Sequence, residues 1–288
     1  MQADILLAVT RNIETLNALL GMPHWFSMLI FIVSMRFLIV YPVNKFVLGF
    51  DMGTYNGANT VASAIGLMHG FTSSIVGYYL LTQMSLPLNI SAPMTEMIAE
   101  NAALTNLLID FSSGYMVQDL LFLLADAYDF GADKEPMLTS FILHHIGCFI
   151  YLRSVAWVKA GHISFFILVF LGEVTNPFQN SRSIALKGLS GDQEHTNKKL
   201  CSFVHKICTI ILSLLFFVVR MVLGPFVVVY YYYWFLLAEN DYVPMWLGAL
   251  WSTIAFAMIH GSYGFSMDLL KECAEILGLK KKDKTKKQ

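Results

Sequence analysis

Long apolar stretches dominate this 288-residue chain and limit what it can fold into. A helix that crosses a bilayer needs about 20 mostly apolar residues, because in hydrocarbon its backbone groups must bond to one another. Only 14% of the residues are charged, whereas ordinary soluble domains carry about 25%. The sequence therefore predicts an all-α, polytopic membrane protein with about seven transmembrane helices. The stretches are residues 24–48, 58–82, 103–127, 137–158, 162–182, 203–237 and 244–270.

Two of these stretches depart from a plain apolar helix. The third contains three aspartates, but without it the chain would have a long apolar loop. The sixth is too long for one straight crossing, and Gly224-Pro225 predicts a kink because proline cannot donate the helical hydrogen bond. We divide the chain into an amphipathic N-terminal segment with the first span (1–54), one membrane domain (55–272) and a basic cytosolic tail (273–288).

The distribution of basic residues predicts the orientation. With the C-terminus in the cytosol, most of the 19 lysines and arginines fall on the cytosolic side. The sequon at Asn89 then lies in a lumenal loop, where glycosylation takes place. The chain ends in KTKKQ, which fits a dilysine retrieval signal of the endoplasmic reticulum; a basic tail attracted to anionic lipid is the alternative.

Polar side chains recur at helical spacing within the predicted spans, where an unpaired charge is costly. Helical periodicity places Tyr115 and Asp119 on one face of the third span, and Glu173 and Asn176 on one face of the fifth. We expect these faces to meet around a polar chamber, with aliphatic side chains toward lipid. The candidate catalytic residues are His144, His145, Glu173 and Asp119, and the candidate substrate-binding residues are His69, Tyr115, Asn176, Asn180, Arg182, Arg220 and His260.

The adjacent histidines His144 and His145 give the chamber its chemistry. Neighbouring residues on a helix point about 100° apart, so one imidazole is expected to face the chamber and the other to pack against a neighbouring helix. An imidazole titrates near neutral pH, and a carboxylate on its second nitrogen would fix the tautomer. Such a pair suits acyl transfer from a thioester to an amine or hydroxyl, with histidine as base or nucleophile. Arg220 is expected to pair with Asp119 or Glu173.

Other classes of site have weaker support. The four cysteines show no CxxC spacing, so neither a zinc site nor a disulfide framework is predicted. No basic stripe is interleaved with aromatic residues, so nucleic-acid binding is not expected. No metal or cofactor is predicted, and haem held by two of His69, His145 and His260 is an alternative that no spacing favours.

Three segments of the chain resemble the TLC-domain family, which includes ceramide synthases and translocation-associated membrane proteins. They are SGYMVQDLL (113–121), FILHHIG (141–147) and GEVTNPFQNSR (172–182), and the resemblance covers roughly residues 55–270. It implies a secretory-pathway membrane, such as the endoplasmic reticulum, and a six-helix barrel with one preceding helix around a lipid-sized cavity. In ceramide synthases the histidine pair transfers an acyl group from acyl-CoA to a sphingoid base, so His144 and His145 would be acyl-transfer residues. The chain departs from the synthases where Gly172-Glu173-Val174-Thr175 replaces their acidic cluster.

Together these features predict a protein of membrane lipid homeostasis. It would bind lipid or acyl chains in an intramembrane cavity and transfer an acyl group from acyl-CoA, with Arg182 attracting the phosphates of CoA at the cytosolic mouth. The alternative is a non-enzymatic lipid sensor, transporter or cargo receptor that uses the same chamber. Membrane lipids and acyl-CoA are the expected partners, and the sequence leaves the oligomeric state open.

Overall fold

The computed structural model describes residues 23–83, 102–135, 137–190, 197–238 and 242–279. All regular structure in these ranges is helical. Five of the helices are long and apolar enough to cross a membrane, which confirms an all-α, polytopic membrane protein. The predicted N-terminal surface helix, the Asn89 sequon and the terminal lysine motif lie outside the described residues. The five helices are His24–Val47, Tyr55–Thr82, Ala103–Phe130, Leu138–Val158 and Lys198–Leu237.

The helices of the described residues are numbered here in chain order. The first four are α1 (His24–Met35), α2 (Tyr55–Gln83), α3 (Ala102–Phe130) and α4 (Leu138–Val158). They are followed by α5 (His162–Glu173), α6 (Asn176–Leu189), α7 (Lys198–Phe216), α8 (Gly224–Tyr232) and α9 (Met245–Ile276). Stretches of π-helix extend α1, join α7 to α8 and extend α8; they are Arg36–Val40, Val43–Val47, Phe217–Leu223 and Tyr233–Leu237.

The predicted fifth span is divided into α5 and α6. Pro177 lacks the N–H that would bond to the carbonyl of Glu173, and α5 ends at Glu173 for that reason. The two halves have 12 and 14 residues, so neither can cross a bilayer alone. The predicted seventh span is α9, whose 32 residues are long enough to cross but which is not among the five apolar helices. A total of seven crossings therefore stays a prediction.

The predicted sixth span is disturbed where the sequence places Gly224-Pro225. The helix changes to π-helical geometry over Phe217–Leu223 and returns to α-helix at Gly224. Pro225 removes one backbone donor from the helical ladder, which accounts for a disturbance at this place, and the kink itself stays a prediction. A π-helical turn holds an extra residue, so it rotates the side chains before the proline relative to a regular α-helix.

Neighbouring helices contact one another in a closed cycle. Its order is α2, α3, α4, α9, α7, α6 and back to α2, with α5 also against α2 and α1 outside the cycle on α3. Tyr55 at the start of α2 contacts Glu135 after α3 and Lys187 near the end of α6. We call this end of the molecule the Tyr55 end. At the opposite end, the hydroxyls of Tyr151 and Tyr231 both contact Ser164. The predicted lipid-filled interior stays a prediction.

Two glycines bring α2 close to α6. A Cβ on Gly66 would lie 2.9 Å from the Nδ2 atom of Asn180, and a Cβ on Gly70 would lie 2.7 Å from the Cβ atom of Asn176. This Gly-x-x-x-Gly spacing is typical of closely packed membrane helices. One turn toward the Tyr55 end, the hydroxyls of Ser63 and Ser183 are 3.1 Å apart. The close approach fixes the polar face of α6 against α2.

Candidate functional site

Two adjoining cavities lie between the helices of this cycle in the described part of the chain. The larger has a volume of about 360 Å³ and reaches the Tyr55 end, where Tyr55, Glu135 and Lys187 contribute to its lining. The smaller has a volume of about 70 Å³ and is mostly apolar. The cavities adjoin at side chains that line both of them, which are Met116, His144, Glu173 and Asn176.

His145 is bound at both ring nitrogens. Its Nδ1 atom is 2.6 Å from the carbonyl oxygen of Phe141, which can only accept, so Nδ1 carries a proton and donates it. Its Nε2 atom is 2.9 Å from the Oδ2 atom of Asp119 on α3. One proton therefore lies between His145 and Asp119, and the carboxylate fixes the orientation of the ring. The predicted pairing of an imidazole with Asp119 is present in the structure.

His144 has a different environment from that of its neighbour. Its ring is half-buried, lines both cavities and stands perpendicular to the His145 ring, with centroids 5.4 Å apart. Its two ring nitrogens are 3.7 and 3.8 Å from the Sγ atom of Cys148, which is a weak partner. Among the described residues, no carboxylate lies within ion-pair distance of His144. His144 is thus the member of the pair whose ring nitrogens are available to a ligand.

Glu173 and His69 form a second pair between the cavities. The Oε2 atom of Glu173 is 3.2 Å from the Nδ1 atom of His69 and accepts a 2.7 Å hydrogen bond from Asn176. The His69 ring stacks on Tyr115, with centroids 3.8 Å apart. Its Nε2 atom lies 3.2 Å from the hydroxyl of Ser112. These contacts join α2, α3 and the α5–α6 break.

Asn180 and Arg182 also line the larger cavity, but both have partners within the protein. Asn180 donates to the backbone oxygen of Asn176 at 3.0 Å. Arg182 donates to Glu272 at 2.5 Å and to the hydroxyl of Thr209 at 3.1 Å. Since its charge is already paired with Glu272, Arg182 has less to offer the phosphates of CoA than the sequence suggested.

Lys187 is the other cation in the lining of the larger cavity. Its Nζ atom lies 4.9 Å from the centre of the Tyr55 ring. The Tyr55 hydroxyl donates to Glu135 at 2.9 Å. Burial lowers the pKa of Lys187, and the nearby Glu135 carboxylate opposes that shift. The mouth therefore carries one ammonium group beside one carboxylate.

Arg220 does not form the ion pair that the sequence predicted. Its Nη2 atom donates to the carbonyl oxygen of Gly172 at 3.4 Å, and within the described part of the chain neither Asp119 nor Glu173 lies within 4.0 Å. Gly172 is in the last turn of α5, and its carbonyl oxygen also accepts from the hydroxyl of Thr175 at 3.1 Å. The guanidinium lines the smaller cavity.

The predicted position of His260 in the chamber is wrong. The residue is exposed, stacks on Phe256 and lines neither cavity. His260 is rotated by about 80° around the helix axis from the buried Ser252, which takes it off the buried face. The buried face of α9 instead consists of Leu247, Gly248, Trp251, Ser252, Ala255, Ser266, Leu269 and Cys273.

The sequence analysis missed several residues that line the cavities. Cys148 follows His144 by one helical turn, so helical spacing could have identified it. Tyr55 and Glu135 are 80 positions apart in the chain and near the ends of helices, so no local pattern relates them. In the part of the chain that the structure describes, no group of three or more His, Cys, Asp or Glu side chains could hold a metal ion.

Comparison with known proteins gives one match. The sequence model of a family described as the TLC domain matches residues 60–263, which span most of α2, all of α3 to α8 and the first part of α9. The matched range includes every residue named above for the two histidine–carboxylate pairs. No curated protein matches the chain.

Proposed function

Since this chain belongs to the TLC-domain family, we propose that it acts on membrane lipids and uses His144 for acyl transfer from acyl-CoA to a lipid amine or hydroxyl. One observation carries the proposal. His144 stands where a larger cavity, lined in part by charged and amide side chains, adjoins a smaller, mostly apolar cavity, and its neighbour His145 is held by Asp119. A lipid with a polar end and an apolar chain has the same division.

The size and lining of the cavities favour part of a lipid over a whole two-chain lipid. The larger volume, about 360 Å³, is at the low end of the range of about 300–1,000 Å³ for small-molecule sites. Its charged and amide side chains suit a headgroup or a thioester. The smaller cavity, with Leu152, Phe165 and Met258 in its lining, suits the first methylenes of an acyl chain.

His144 and His145 would have different roles in acyl transfer. His144 takes the proton of the attacking amine or hydroxyl while a bond forms from that atom to the thioester carbonyl carbon. The carbon–sulfur bond then breaks, and His144 returns the proton to the leaving thiolate. His145 does not contact the reacting atoms in this scheme, because both of its nitrogens are engaged. It is a positioning residue that orients α4 through its contact with Asp119.

A second candidate is lipid binding without catalysis, as in a sensor, transporter or cargo receptor. The pairing of Arg182 with Glu272 favours it, because Lys187 is then the one lysine or arginine in the described lining of the larger cavity that is free of a carboxylate contact within 4.0 Å. A CoA thioester carries several phosphate charges, and one lysine beside Glu135 attracts them weakly. The two candidates share the site and differ in whether acyl-CoA is consumed.

We further propose that the protein works in lipid homeostasis in the endoplasmic reticulum or another secretory-pathway membrane, with the Tyr55 end and the C-terminus in the cytosol. The distribution of lysines supports the orientation. Several lysines lie at the Tyr55 end, and Lys159 lies at the other end of the described structure. Those at the Tyr55 end are Lys45, Lys134, Lys187, Lys198 and Lys199.

The test compares the wild type with His144→Ala, His145→Ala and the matched control His260→Ala, each purified from membranes. Mass spectrometry measures co-purified lipid, and radiolabelled acyl-CoA measures transfer to long-chain amines and alcohols. We expect His144→Ala to lose transfer but keep bound lipid, and His260→Ala to behave as the wild type.

Three outcomes separate the candidates. Transfer by His144→Ala at the wild-type rate would rule out the acyl-transfer proposal. Bound lipid without transfer in the wild type would favour the non-catalytic candidate. A wild-type protein with neither bound lipid nor transfer would contradict both.

A further inference from the structure

We infer that Arg220 is the anion-binding residue of this site and holds the carbonyl or carboxylate oxygen of an acyl group whose chain lies in the smaller cavity. The inference rests on the proposed function and adds the residue that recognises the acyl oxygen. The sequence predicted a carboxylate partner for Arg220 within the protein, and among the described residues no carboxylate lies within 4.0 Å of it.

The hydrogen bonding of Arg220 is incomplete. A guanidinium group has five N–H donors, and among the described residues Arg220 uses one of them, on the Gly172 carbonyl at a long 3.4 Å. Its Nε atom is buried without a hydrogen-bond partner. The Phe216 ring, 5.7 Å from the guanidinium carbon, offers only a weak contact. Donors therefore remain for an oxygen ligand.

Glu173, one of the two carboxylates predicted to pair with Arg220, contacts other residues instead. Its Oε2 atom contacts His69 and accepts from Asn176, and Glu173 is not within 4.0 Å of the guanidinium. Glu173 still attracts Arg220 through the weakly screening interior of the protein, but it forms no ion pair with the guanidinium. A charge at membrane depth that has neither a close counter-ion nor a full set of hydrogen bonds is costly, and it marks a functional position.

The backbone places Arg220 toward the cavity through an irregular helix. Arg220 lies within the π-helical stretch Phe217–Leu223, just before Gly224-Pro225. Such stretches inside longer helices occur frequently at functional sites, because they change the direction of a side chain. Arg220 lines the smaller cavity together with His144, Cys148 and Met258. The guanidinium is the one cationic side chain, besides histidine, in the described lining of that cavity.

An acyl group in this cavity would have its carbonyl between Arg220 and His144. Attack of the amine or hydroxyl on the carbonyl carbon moves an electron pair onto the carbonyl oxygen, and the attacking atom gives its proton to His144. The guanidinium N–H groups then stabilise the negative oxygen. When the carbonyl re-forms, the carbon–sulfur bond breaks and the thiolate takes the proton from His144. In a protein that only binds lipid, the same donors would hold the carboxylate of a fatty acid.

The experiment measures binding of radiolabelled dodecanoate and dodecanol to the purified full-length protein in detergent. The two probes share a chain and differ in the charged oxygen. The variants are Arg220→Gln, Arg220→Lys and, as a control, Arg153→Gln/Asp110→Asn. The control removes an arginine that is paired at 2.5 Å with Asp110, lines neither cavity and is also within the membrane domain. Thermal unfolding of each variant shows whether it is folded.

We expect the wild type to bind dodecanoate more tightly than dodecanol, and Arg220→Gln to weaken dodecanoate binding by about tenfold or more without changing dodecanol binding. Arg220→Lys should keep part of the preference, because it retains the charge but not the planar set of donors. The control should bind both probes as the wild type does.

Two results separate this inference from the proposed function. If Arg220→Gln keeps the wild-type preference for dodecanoate, Arg220 is not the anion-binding residue, although the lipid site stands. If the wild type binds neither probe, the lipid site itself is wrong. If Arg220→Gln does not fold, the affinity of Arg220→Lys decides: unchanged dodecanoate binding after loss of the planar donors contradicts the inference, and reduced binding supports it.

Discussion

His144 and His145 are neighbours in the chain, yet their nitrogens have different partners. His145 is fixed by the Phe141 carbonyl and Asp119, whereas His144 has only weak contacts with Cys148 and faces both cavities. Consecutive residues on a helix point about 100° apart, and for this reason the two imidazoles have different partners. At the scale of the residue, the site thus consists of one available imidazole and two histidine–carboxylate pairs that fix its surroundings.

The pair of His145 and Asp119 should matter for stability as well as for position. Replacing Asp119→Asn removes the charge that the Nε2 atom of His145 contacts at 2.9 Å. We expect a loss on the order of 1–2 kcal/mol in the free energy of unfolding, a typical value for a strong polar contact between membrane helices. Unfolding in mixed micelles measures it.

Asp129→Asn is the matched control for this prediction. Asp129 is on the same helix but is exposed and lines neither cavity. Equal stability of the two variants would mean that the contact between α3 and α4 contributes nothing measurable.

At the scale of the element, helix irregularities determine where side chains lie. The break between α5 and α6 follows from Pro177 and leaves Glu173 at a helix end, where its side chain can contact both His69 and Asn176. The π-helical stretch before Pro225 has a similar effect on Arg220. In both cases a proline interrupts the regular helical hydrogen bonding, and this affects the placement of a charged side chain about four positions before it.

The close contact between α2 and α6 depends on glycine. In Gly70→Ala the new Cβ would lie 2.7 Å from the Cβ atom of Asn176 and 3.1 Å from the Cδ atom of Pro177, so one helix must shift. We expect a loss of about 1–3 kcal/mol in the free energy of unfolding and a reduced amount of co-purified lipid.

Gly261→Ala is the control for Gly70→Ala, because no heavy atom lies within 4 Å of a Cβ at this helical position. Alanine there should leave stability unchanged or raise it by up to about 1 kcal/mol, since it favours a helix more than glycine does. If both alanine variants unfold alike, close packing of α2 on α6 is not needed.

At the scale of the whole molecule, the cyclic contacts of the helices bring distant segments to the same place. The mouth of the larger cavity combines Tyr55, Glu135 and Lys187 from three separate parts of the chain. The ring also separates the lysine-rich Tyr55 end from the end that carries Lys159. Orientation in the membrane is therefore a property of the assembled bundle and of its charge distribution.

The orientation can be measured by cysteine labelling in intact microsomes. The four native cysteines are replaced, and either Asp133→Cys or Tyr242→Cys is introduced. Both side chains are exposed, at the Tyr55 end and the opposite end respectively. We expect an impermeant maleimide to label Asp133→Cys at once and Tyr242→Cys only after the membrane is opened. The reverse pattern would invert the proposed topology.

The division of the fifth span at Pro177 was not predicted. The sequence by itself determined the helical membrane architecture, the family and the disturbance of the helix near Pro225, and ten of its eleven candidate site residues line a cavity. These follow from composition, from the missing donor of proline and from the fixed angle between residues on one helix. Only the tertiary structure decided which face of each helix turns inward: it placed His260 outside, tied His145 to Asp119, left His144 available and gave Arg220 no carboxylate partner. Periodicity fixes the angles between side chains of one helix, but the rotation of that helix about its axis is set by packing against its neighbours.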